Sequence, residues 1–315
     1  MKLISVVIPF FNEEKTIPIL RGRLQAVTST LDHEFEFVLV DDGSSDQTGQ
    51  ELRRWRSQDN RVVIVTLSRN WGQQSAFNAG LDIATGDAVI LMDGDLEDPP
   101  ELIPELIAQW DLGAEIVFTT KSRRYQKWPR RLLTKFYYFL LRTTVRHGTD
   151  TQAGVFSLLD KQVADVLRLM KERNKSYPNL RSMVGFRQQR VMYERGDRLD
   201  GGPRQTLRKL IGDGLNALFS NTYVPIRFVT VTGVLLIVVS MFAGVGVMVA
   251  RITGIEFWIF SAKPGTQMII IVILAFGALQ IIFLGVIGEY IARIYDESKG
   301  RPYYVIKSIE GDNNN

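Results

Sequence analysis

Two aspartates separated by one glycine, Asp93-Gly94-Asp95, follow a short apolar segment and are well suited to bind a cation. Mg²⁺ in proteins commonly takes a few carboxylates, water and substrate phosphates rather than a cage made of protein alone. A nucleoside diphosphate would complete such a shell. Residues of these types also suit a simple turn, but Glu97 and Asp98 follow directly. The pattern therefore favours a site for Mg²⁺ or Mn²⁺.

Three further polar clusters end apolar segments earlier in the chain. They are Asn12-Glu13, Asp41-Asp42 and Arg69-Asn70. The carboxylates of Asp41 and Asp42 can accept hydrogen bonds from a base or a ribose, although residues of the same turn can equally cap a helix. Arg69, together with the N-terminus of a helix that opens near Gly72, can hold a phosphate.

Alternating strands and helices must position these clusters. Strands are predicted at 3–10, 35–40, 62–67, 88–92, 115–119 and 155–159. Helices are predicted at 14–31, 48–57, 73–84, 100–112 and 161–173. Continuous apolar strands alternating with helices favour a mainly parallel α/β sheet covered on both faces. The binding crevice of such a sheet lies beyond the carboxyl ends of its strands, which is where the four clusters fall.

The charge of the chain is unevenly distributed. The formal net charge is only +4, and the absence of cysteine excludes disulfides and cysteine metal sites. Between Glu115 and Asp150 there is no acidic residue but nine basic ones. Such a block indicates an anionic partner, although a solvated basic face is the simpler alternative.

Two apolar runs stand apart in the last third of the chain. Residues 228–250 and 266–288 each comprise 23 residues without a charge, and about 20 apolar residues cross a bilayer core. A buried core helix is the alternative for each run, but two in succession favour a transmembrane hairpin. Residues 203–220 precede them with the pattern of an amphipathic helix on a membrane surface. Basic residues at the outer ends of the pair predict that both termini are cytoplasmic.

Six stretches match a known set of motifs. They are SVVIPFFNEE (5–14), VLVDDGSSDQT (38–48), SRNWGQQSAFNAGLDIATGD (68–87), LMDGDLEDPPE (91–101), DTQAGVFSLLD (150–160) and VGFRQQRVMYERGDR (184–198). With them the chain resembles family 2 glycosyltransferases of the dolichyl/polyprenyl-phosphate hexose synthase group. The amphipathic segment and the two apolar runs match the bactoprenol glucosyltransferases of that group. The resemblance implies a GT-A (Rossmann-like) fold, an inverting mechanism and a UDP- or GDP-sugar donor.

The resemblance also implies roles for individual residues. Asp93 and Asp95 would hold ribose and metal, and Asp95 would act in catalysis. The donor-binding residues would be Pro9, Asn12, Glu13, Asp41, Asp42, Arg69, Gly72, Asp93 and Gly94. Asp150 matches the acid that opens the second motif of the family and is the predicted catalytic base. Many relatives carry an acid and an arginine near the positions of Val155 and Ser157, and this chain does not.

The acceptor's own chemistry reduces the need for a base. A phosphate monoester has a second pKa near 6, so much of it is a dianion at neutral pH and can attack without losing a proton. Arginine grips phosphate oxygens in a bidentate way. The predicted acceptor-phosphate ligands are Arg123, Arg124, Arg130, Arg131, Arg195 and Arg198. The alternative is that these residues only attract anionic lipids.

The predicted organisation has four parts. They are a GT-A catalytic domain at 1–200, an amphipathic juxtamembrane helix at 201–226, a transmembrane hairpin at 227–290 and a cytoplasmic tail at 291–315. The predicted reaction moves a single sugar from a UDP-sugar, with glucose favoured, to polyprenyl (undecaprenyl) phosphate at the cytoplasmic membrane face. GDP-mannose or UDP-amino-arabinose would use the same motifs.

Two other readings compete with this one. A processive polysaccharide synthase would need a Gln-x-x-Arg-Trp motif, which the chain lacks. A catalytically silent scaffold for a lipid-sugar flippase would not need Asp93 and Asp95. The expected partners are the bilayer, the two substrates and further copies of the chain, since glycines in the apolar runs can pack helices together. Nucleic acid is not expected as a partner.

Overall fold

A computed structural model of the protein describes residues 1–121, 153–170, 177–193 and 266–311, with isolated positions between 229 and 253. The chain divides into two compact units. The first comprises Met1–Trp128, His147–Gly202 and Arg301–Asn315. The second comprises Pro129–Arg146 and Pro203–Gly300. The segment 301–311 therefore belongs to the same unit as the N-terminal part of the chain.

The first unit is an α/β domain. Its described strands are β1 (Leu3–Phe10), β2 (Glu34–Asp41), β3 (Val62–Leu67), β4 (Ala88–Leu91), β5 (Ile116–Lys121), β6 (Ala153–Asp160), β7 (Gln188–Tyr193) and β8 (Ile306–Glu310). Its described helices are α1 (Thr16–Thr28), α2 (Thr48–Arg56), α3 (Gln73–Ile83), α4 (Ile103–Asp111), α5 (Lys161–Leu169) and α6 (Tyr177–Met183). A 3₁₀ turn at Pro100–Leu102 leads into α4. Each strand and helix predicted within the described residues is present, and α6, β7 and β8 are additional. A helix predicted at 129–146 lies outside the described residues.

The described strands form one sheet in the order β7-β5-β6-β4-β1-β2-β3-β8. The four central strands β4, β1, β2 and β3 are parallel, as predicted, because each is joined to the next by a crossover helix. Outside the central strands the pairings are of both kinds, and β5 is parallel to β7. There β6 runs antiparallel to both β4 and β5, and β8 runs antiparallel to β3. The sheet is therefore mixed.

Alternate residues of the central strands face two separate hydrophobic clusters. In β1, Ile4, Val6 and Ile8 pack with residues of α1, α2 and α4, whereas Val7 packs on the other face with residues of α3 and α5. Because successive strand residues point to opposite faces, covering both faces requires an apolar residue at nearly every position. This explains why the predicted strands appear as continuous apolar runs.

The second unit contains the helix α7 (Thr266–Ser298), which is 33 residues long. Its described side chains include the exposed apolar residues Phe276, Ile281 and Leu284. Within the described parts of the chain, no helix combines the length and apolar character needed to cross a membrane. The predicted run 266–288 lies within α7, while the predicted amphipathic segment 203–220 and most of 228–250 fall outside the described residues.

Candidate functional site

A cavity of about 240 Å³ lies where β1 and β4 end and α3 begins. Its lining includes at least one residue from each of the four polar clusters that were predicted from the sequence. The lining residues are Pro9, Phe10, Phe11, Glu13, Asp42, Asn70, Gly72, Gln73, Asp93, Gly94 and Asp95. Six predicted donor-binding residues and the predicted catalytic Asp95 thus meet in one place. The predicted residues Asn12, Asp41 and Arg69 do not line the cavity but adjoin residues that do.

The loops after β1 and β2 are held together by hydrogen bonds. Asn12 donates its backbone N–H to Ser44 Oγ at 3.1 Å, and its Oδ1 accepts from the N–H of Ser45 at 2.9 Å. The backbone N–H of Glu13 donates to Thr48 Oγ1 at 2.8 Å. Asn12 has a positive φ of 56°, a conformation that asparagine tolerates better than most residues. Asn12 therefore braces the loop that presents Glu13 to the cavity.

Asp42 joins the loop after β2 to the start of α3. Its side chain is only 3% exposed, and its two oxygens accept the backbone N–H groups of Trp71 at 2.7 Å and Gly72 at 2.9 Å. Burial raises the pKa of Asp42, the two backbone hydrogen bonds oppose that rise, and the nearby charge of Asp41 adds to it. Asp41 has another task, because its Oδ1 accepts the N–H of Ser44 at 2.9 Å within the turn.

Arg69 lies beside the cavity. Its guanidinium stacks over the Trp71 ring at 4.1 Å, and the residue is exposed. Arg69 was predicted to hold a phosphate, and in the structure its guanidinium lies on the indole of Trp71, whose backbone N–H donates to Asp42. A cation stacked on an aromatic face stabilises the local conformation by roughly 0.5–1 kcal/mol at an exposed site.

Asp93, Gly94 and Asp95 form the opposite wall of the cavity. Gln73 Nε2 donates to Asp93 Oδ1 at 2.6 Å, and Asp95 Oδ1 accepts the N–H of Glu97 at 3.0 Å. Gly94 packs against Phe10, and a Cβ at this position would be 2.6 Å from the Phe10 ring. The two partly exposed carboxylates facing one cavity fit a divalent cation that takes its other ligands from a diphosphate and water. Among the described residues, no larger group of His, Cys, Asp or Glu is gathered for a metal.

Two residues that the sequence analysis missed support this wall. Gln73 is the hydrogen-bond donor to Asp93, and its position directly after Gly72 in a matched stretch was the available signal. Tyr193, at the end of β7, donates its hydroxyl to Asp98 Oδ1 at 2.9 Å, and both residues are buried. Burial raises the pKa of Tyr193, as do the charges of Asp98, Asp93 and Asp95. The tyrosine thus attaches Asp98, three residues after Asp95, to the end of β7.

The predicted catalytic base and acceptor ligands lie outside the described residues: Asp150, Arg123, Arg124, Arg130, Arg131, Arg195 and Arg198. The strand ends next to them are described. Lys121 of β5 pairs with Tyr193 of β7, and Thr120 pairs with Ala153, where β6 begins. Because β6 is antiparallel to its neighbours, these three ends lie at the same sheet edge as the carboxyl end of β4. The described strands next to the predicted residues in the chain therefore end at the same side of the sheet as the cavity.

A buried arginine supports the start of β6. Arg181 of α6 is 1% exposed and donates to the carbonyl oxygens of Gly154 at 2.7 Å and Val155 at 3.3 Å. Burial lowers the pKa of Arg181 to about 9. Nothing in the sequence around Arg181 indicates this role, because its two acceptors lie more than 25 positions earlier in the chain. Arg181 holds the strand that begins three residues after Asp150.

Asp42→Asn is expected to lower the free energy of unfolding by about 1–3 kcal/mol. Asparagine has one carbonyl oxygen, so its amide group would face one of the two part-buried backbone N–H groups and leave it without this acceptor. Thermal unfolding followed by circular dichroism measures the change. Asp111→Asn is the matched control, because the Asp111 carboxylate is partly exposed, contacts Lys2 at 3.4 Å and His33 at 3.7 Å, and does not line the cavity. Equal melting temperatures for the two variants would contradict the structural role of Asp42.

Several known glycosyltransferases are similar to this chain. The profile described as Glycosyl transferase family 2 matches residues 5–168, a range that includes every residue lining the cavity. An uncharacterized glycosyltransferase of Synechocystis is 34% identical, over 98% of this chain and 96% of that protein. The prophage bactoprenol glucosyl transferase homolog of Escherichia coli is 34% identical, over 98% and 99%. The bactoprenol glucosyl transferase of Shigella phage SfV is 34% identical, over 97% and 98%.

Proposed function

This chain belongs to glycosyl transferase family 2, and from that membership we propose that it transfers one glucose from UDP-glucose to polyprenyl phosphate. The observation that carries the proposal is the cavity in which Asp42, Glu13, Asp93 and Asp95 meet. Relatives that match this chain end to end and are named bactoprenol glucosyl transferases support the choice of sugar and lipid. The resemblance on which the sequence analysis relied is thus confirmed at the level of the family.

The donor would lie across the cavity from the β1–β2 side to the β4 side. The carboxylates of Glu13 and Asp42 can accept hydrogen bonds from the base and ribose, since both line the cavity. The N-terminus of α3 at Gly72 and Gln73 lies in the same lining. Because a helix N-terminus carries partial positive charge, it favours the diphosphate there. The sugar would then project beyond Asp95.

Asp93 and Asp95 would hold Mg²⁺ or Mn²⁺ together with the donor diphosphate. A divalent cation bound there would stabilise the negative charge that develops on the departing UDP. Gln73 donates to Asp93, and the N–H of Glu97 donates to Asp95. These contacts fix the two carboxylates before the donor arrives, which reduces the reorganisation needed during the reaction.

The acceptor phosphate would attack the anomeric carbon of the donor directly. A bond forms between a phosphate oxygen and that carbon, the bond from the carbon to UDP breaks, and attack from the opposite face inverts the configuration. As a dianion the phosphate has no proton to lose. Asp150 would orient it, or remove the proton from the monoanion. Arginines from Arg123 to Arg131, with Arg195 and Arg198, would hold the phosphate in place.

The reaction would take place at the cytoplasmic membrane face. The polyprenyl chain confines the acceptor to the bilayer, whereas the sugar nucleotide is dissolved in the cytoplasm, so the two meet only at that surface. The apolar runs at 228–250 and 266–288 and their basic flanks support attachment there with both termini in the cytoplasm. Association of several copies through the apolar runs belongs to the same proposal.

The proposal predicts transfer by the purified full-length protein on undecaprenyl phosphate in detergent with Mg²⁺. UDP-glucose is expected to give the highest turnover in a panel with UDP-galactose, GDP-mannose and UDP-amino-arabinose, and a chelator is expected to stop the reaction. Undecaprenol is the matched control acceptor, because it lacks the attacking phosphate. Higher turnover with another donor would overturn glucose but not the lipid acceptor. Absence of transfer from every donor would favour the silent scaffold.

A further inference from the structure

The C-terminal strand β8 is an outermost strand of the sheet and pairs with β3, which leads into the loop that lines the donor cavity. It pairs antiparallel with β3, and its first residue, Ile306, lies opposite Leu67, the last residue of β3. Just before the strand, the carbonyl oxygen of Val305 accepts the backbone N–H of Ser68 at 2.9 Å. Pairing of the two strands therefore continues past the end of β3. It reaches the first residue of the loop that leads to α3.

The same C-terminal segment is also attached to α3. Tyr304 donates its hydroxyl to the carboxylate of Asp82, near the end of that helix. Tyr304 and Ile306 both pack against a hydrophobic cluster that includes residues of β3 and α3. The loop at residues 68–72 lies between β3 and α3 in the chain. Both elements that flank this loop are thus held by one short segment from the other end of the protein.

This loop forms a wall of the donor cavity. Asn70 and Gly72 line the cavity. The backbone N–H groups of Trp71 and Gly72 donate hydrogen bonds to the carboxylate of Asp42. The geometry of Asp42 therefore depends on where β3 ends and where α3 begins. A change in the position of either element would move these two N–H groups relative to the carboxylate.

We propose that residues 301–311 position the nucleotide site. By holding β3 and α3, the two elements that flank the loop at residues 68–72, they would set the affinity for the donor. The inference rests on the proposed function, since it takes the cavity to be the nucleotide site. Covering an unpaired edge strand is the simpler role for β8. The two roles differ because an edge cover contributes to global stability without changing donor binding by the folded protein.

The test is a double substitution in the full-length protein, Tyr304→Phe with Ile306→Ala. Together these changes remove the hydroxyl bond to Asp82 and part of the packing against the cluster of β3 and α3. Titration calorimetry with UDP and Mg²⁺ is expected to give a dissociation constant about three- to tenfold higher than that of the parent, the range allowed by the loss of one or two weak contacts. The turnover number at saturating donor is expected to stay within about twofold of the parent, since the reacting groups are untouched.

Amide hydrogen exchange supplies a readout that a merely structural role would not produce. The amides of Trp71 and Gly72 are expected to exchange faster in the double variant, while those of β1 keep their protection. Lys307→Ala is the matched control, because Lys307 is an exposed residue of the same strand. That variant is expected to match the parent in both measurements.

The outcomes distinguish failure of the positioning role of β8 from failure of the proposed function. If the parent binds UDP and the double variant binds it equally well with unchanged exchange at Trp71 and Gly72, β8 is only an edge cover and the inference is wrong. A lower melting temperature with an unchanged dissociation constant leads to the same conclusion. If the parent itself does not bind UDP, the proposed function is wrong, independently of β8.

Discussion

Asp95→Ala is expected to reduce transfer by about 10²- to 10³-fold, the effect of removing one preorganised electrostatic contact to the developing charge. Asp95 lines the cavity beside Asp93. Its Oδ1 accepts the backbone N–H of Glu97, which holds the carboxylate in place. Turnover with UDP-glucose and undecaprenyl phosphate, measured across a Mn²⁺ titration, is the appropriate experiment. Asp93→Ala is expected mainly to raise the dissociation constant of the donor. Asp93 accepts a hydrogen bond from Gln73, which lines the cavity, so the substitution would also release a residue of the donor site.

The control for these variants is Asp165→Ala. Asp165 is an exposed carboxylate of α5 that pairs with Arg168, and it does not line the cavity. This variant is expected to keep parental turnover and metal dependence. Retention of metal-dependent transfer by Asp95→Ala would show that the metal is held by other residues, and the assignment of the cavity would then have to be abandoned.

Gly43→Ala is expected to disrupt the donor site and to lower the free energy of unfolding by about 2–4 kcal/mol. Gly43 has a φ of +69°, and a Cβ there would be 2.4 Å from the carbonyl carbon of Arg69. Both the backbone conformation and the space exclude a side chain, so the loops after β2 and β3 would have to separate. Since Asp42 bridges these loops, UDP binding is expected to weaken along with thermal stability.

Gly22→Ala is the matched control for this substitution. Gly22 lies within α1, and no atom lies within 4 Å of its would-be Cβ. Alanine is the better helix former by about 0.8–1 kcal/mol, so this variant is expected to be slightly more stable than the parent and to bind UDP normally. Similar melting temperatures for the two alanine variants would refute the close approach of Gly43 to Arg69.

Much of the central sheet was predictable from local pattern. The strands at 3–10 and 62–67 have the predicted bounds, because a strand buried on both faces needs apolar residues throughout. The predicted clusters meet in one cavity because parallel strands carry their carboxyl ends to the same edge. Roles within the clusters were less predictable. Asp41 and Asp42 are neighbours of one type, yet Asp41 closes a turn and Asp42 accepts two N–H groups of the loop that leads to α3.

The flanks of the sheet were not predictable in this way. An edge or antiparallel strand is brought to the sheet by pairing with a distant segment, and periodicity within the strand does not identify its partner. The tail at 291–315 was predicted without a strand, but Ile306–Glu310 pairs with β3. Likewise, Tyr193 and Asp98 are 95 positions apart in the chain, so no local motif joins them.

The sequence by itself determined the family, the central parallel strands and the polar residues at their ends, because each of these depends on residue type and short-range spacing. Only the tertiary structure decided which residues face the cavity, which brace its loops, and how the C-terminal strand supports them. Those distinctions depend on backbone direction and on contacts between distant segments. They arise when the chain packs, since a hydrogen bond such as that from Ser68 to Val305 joins groups that are remote in sequence.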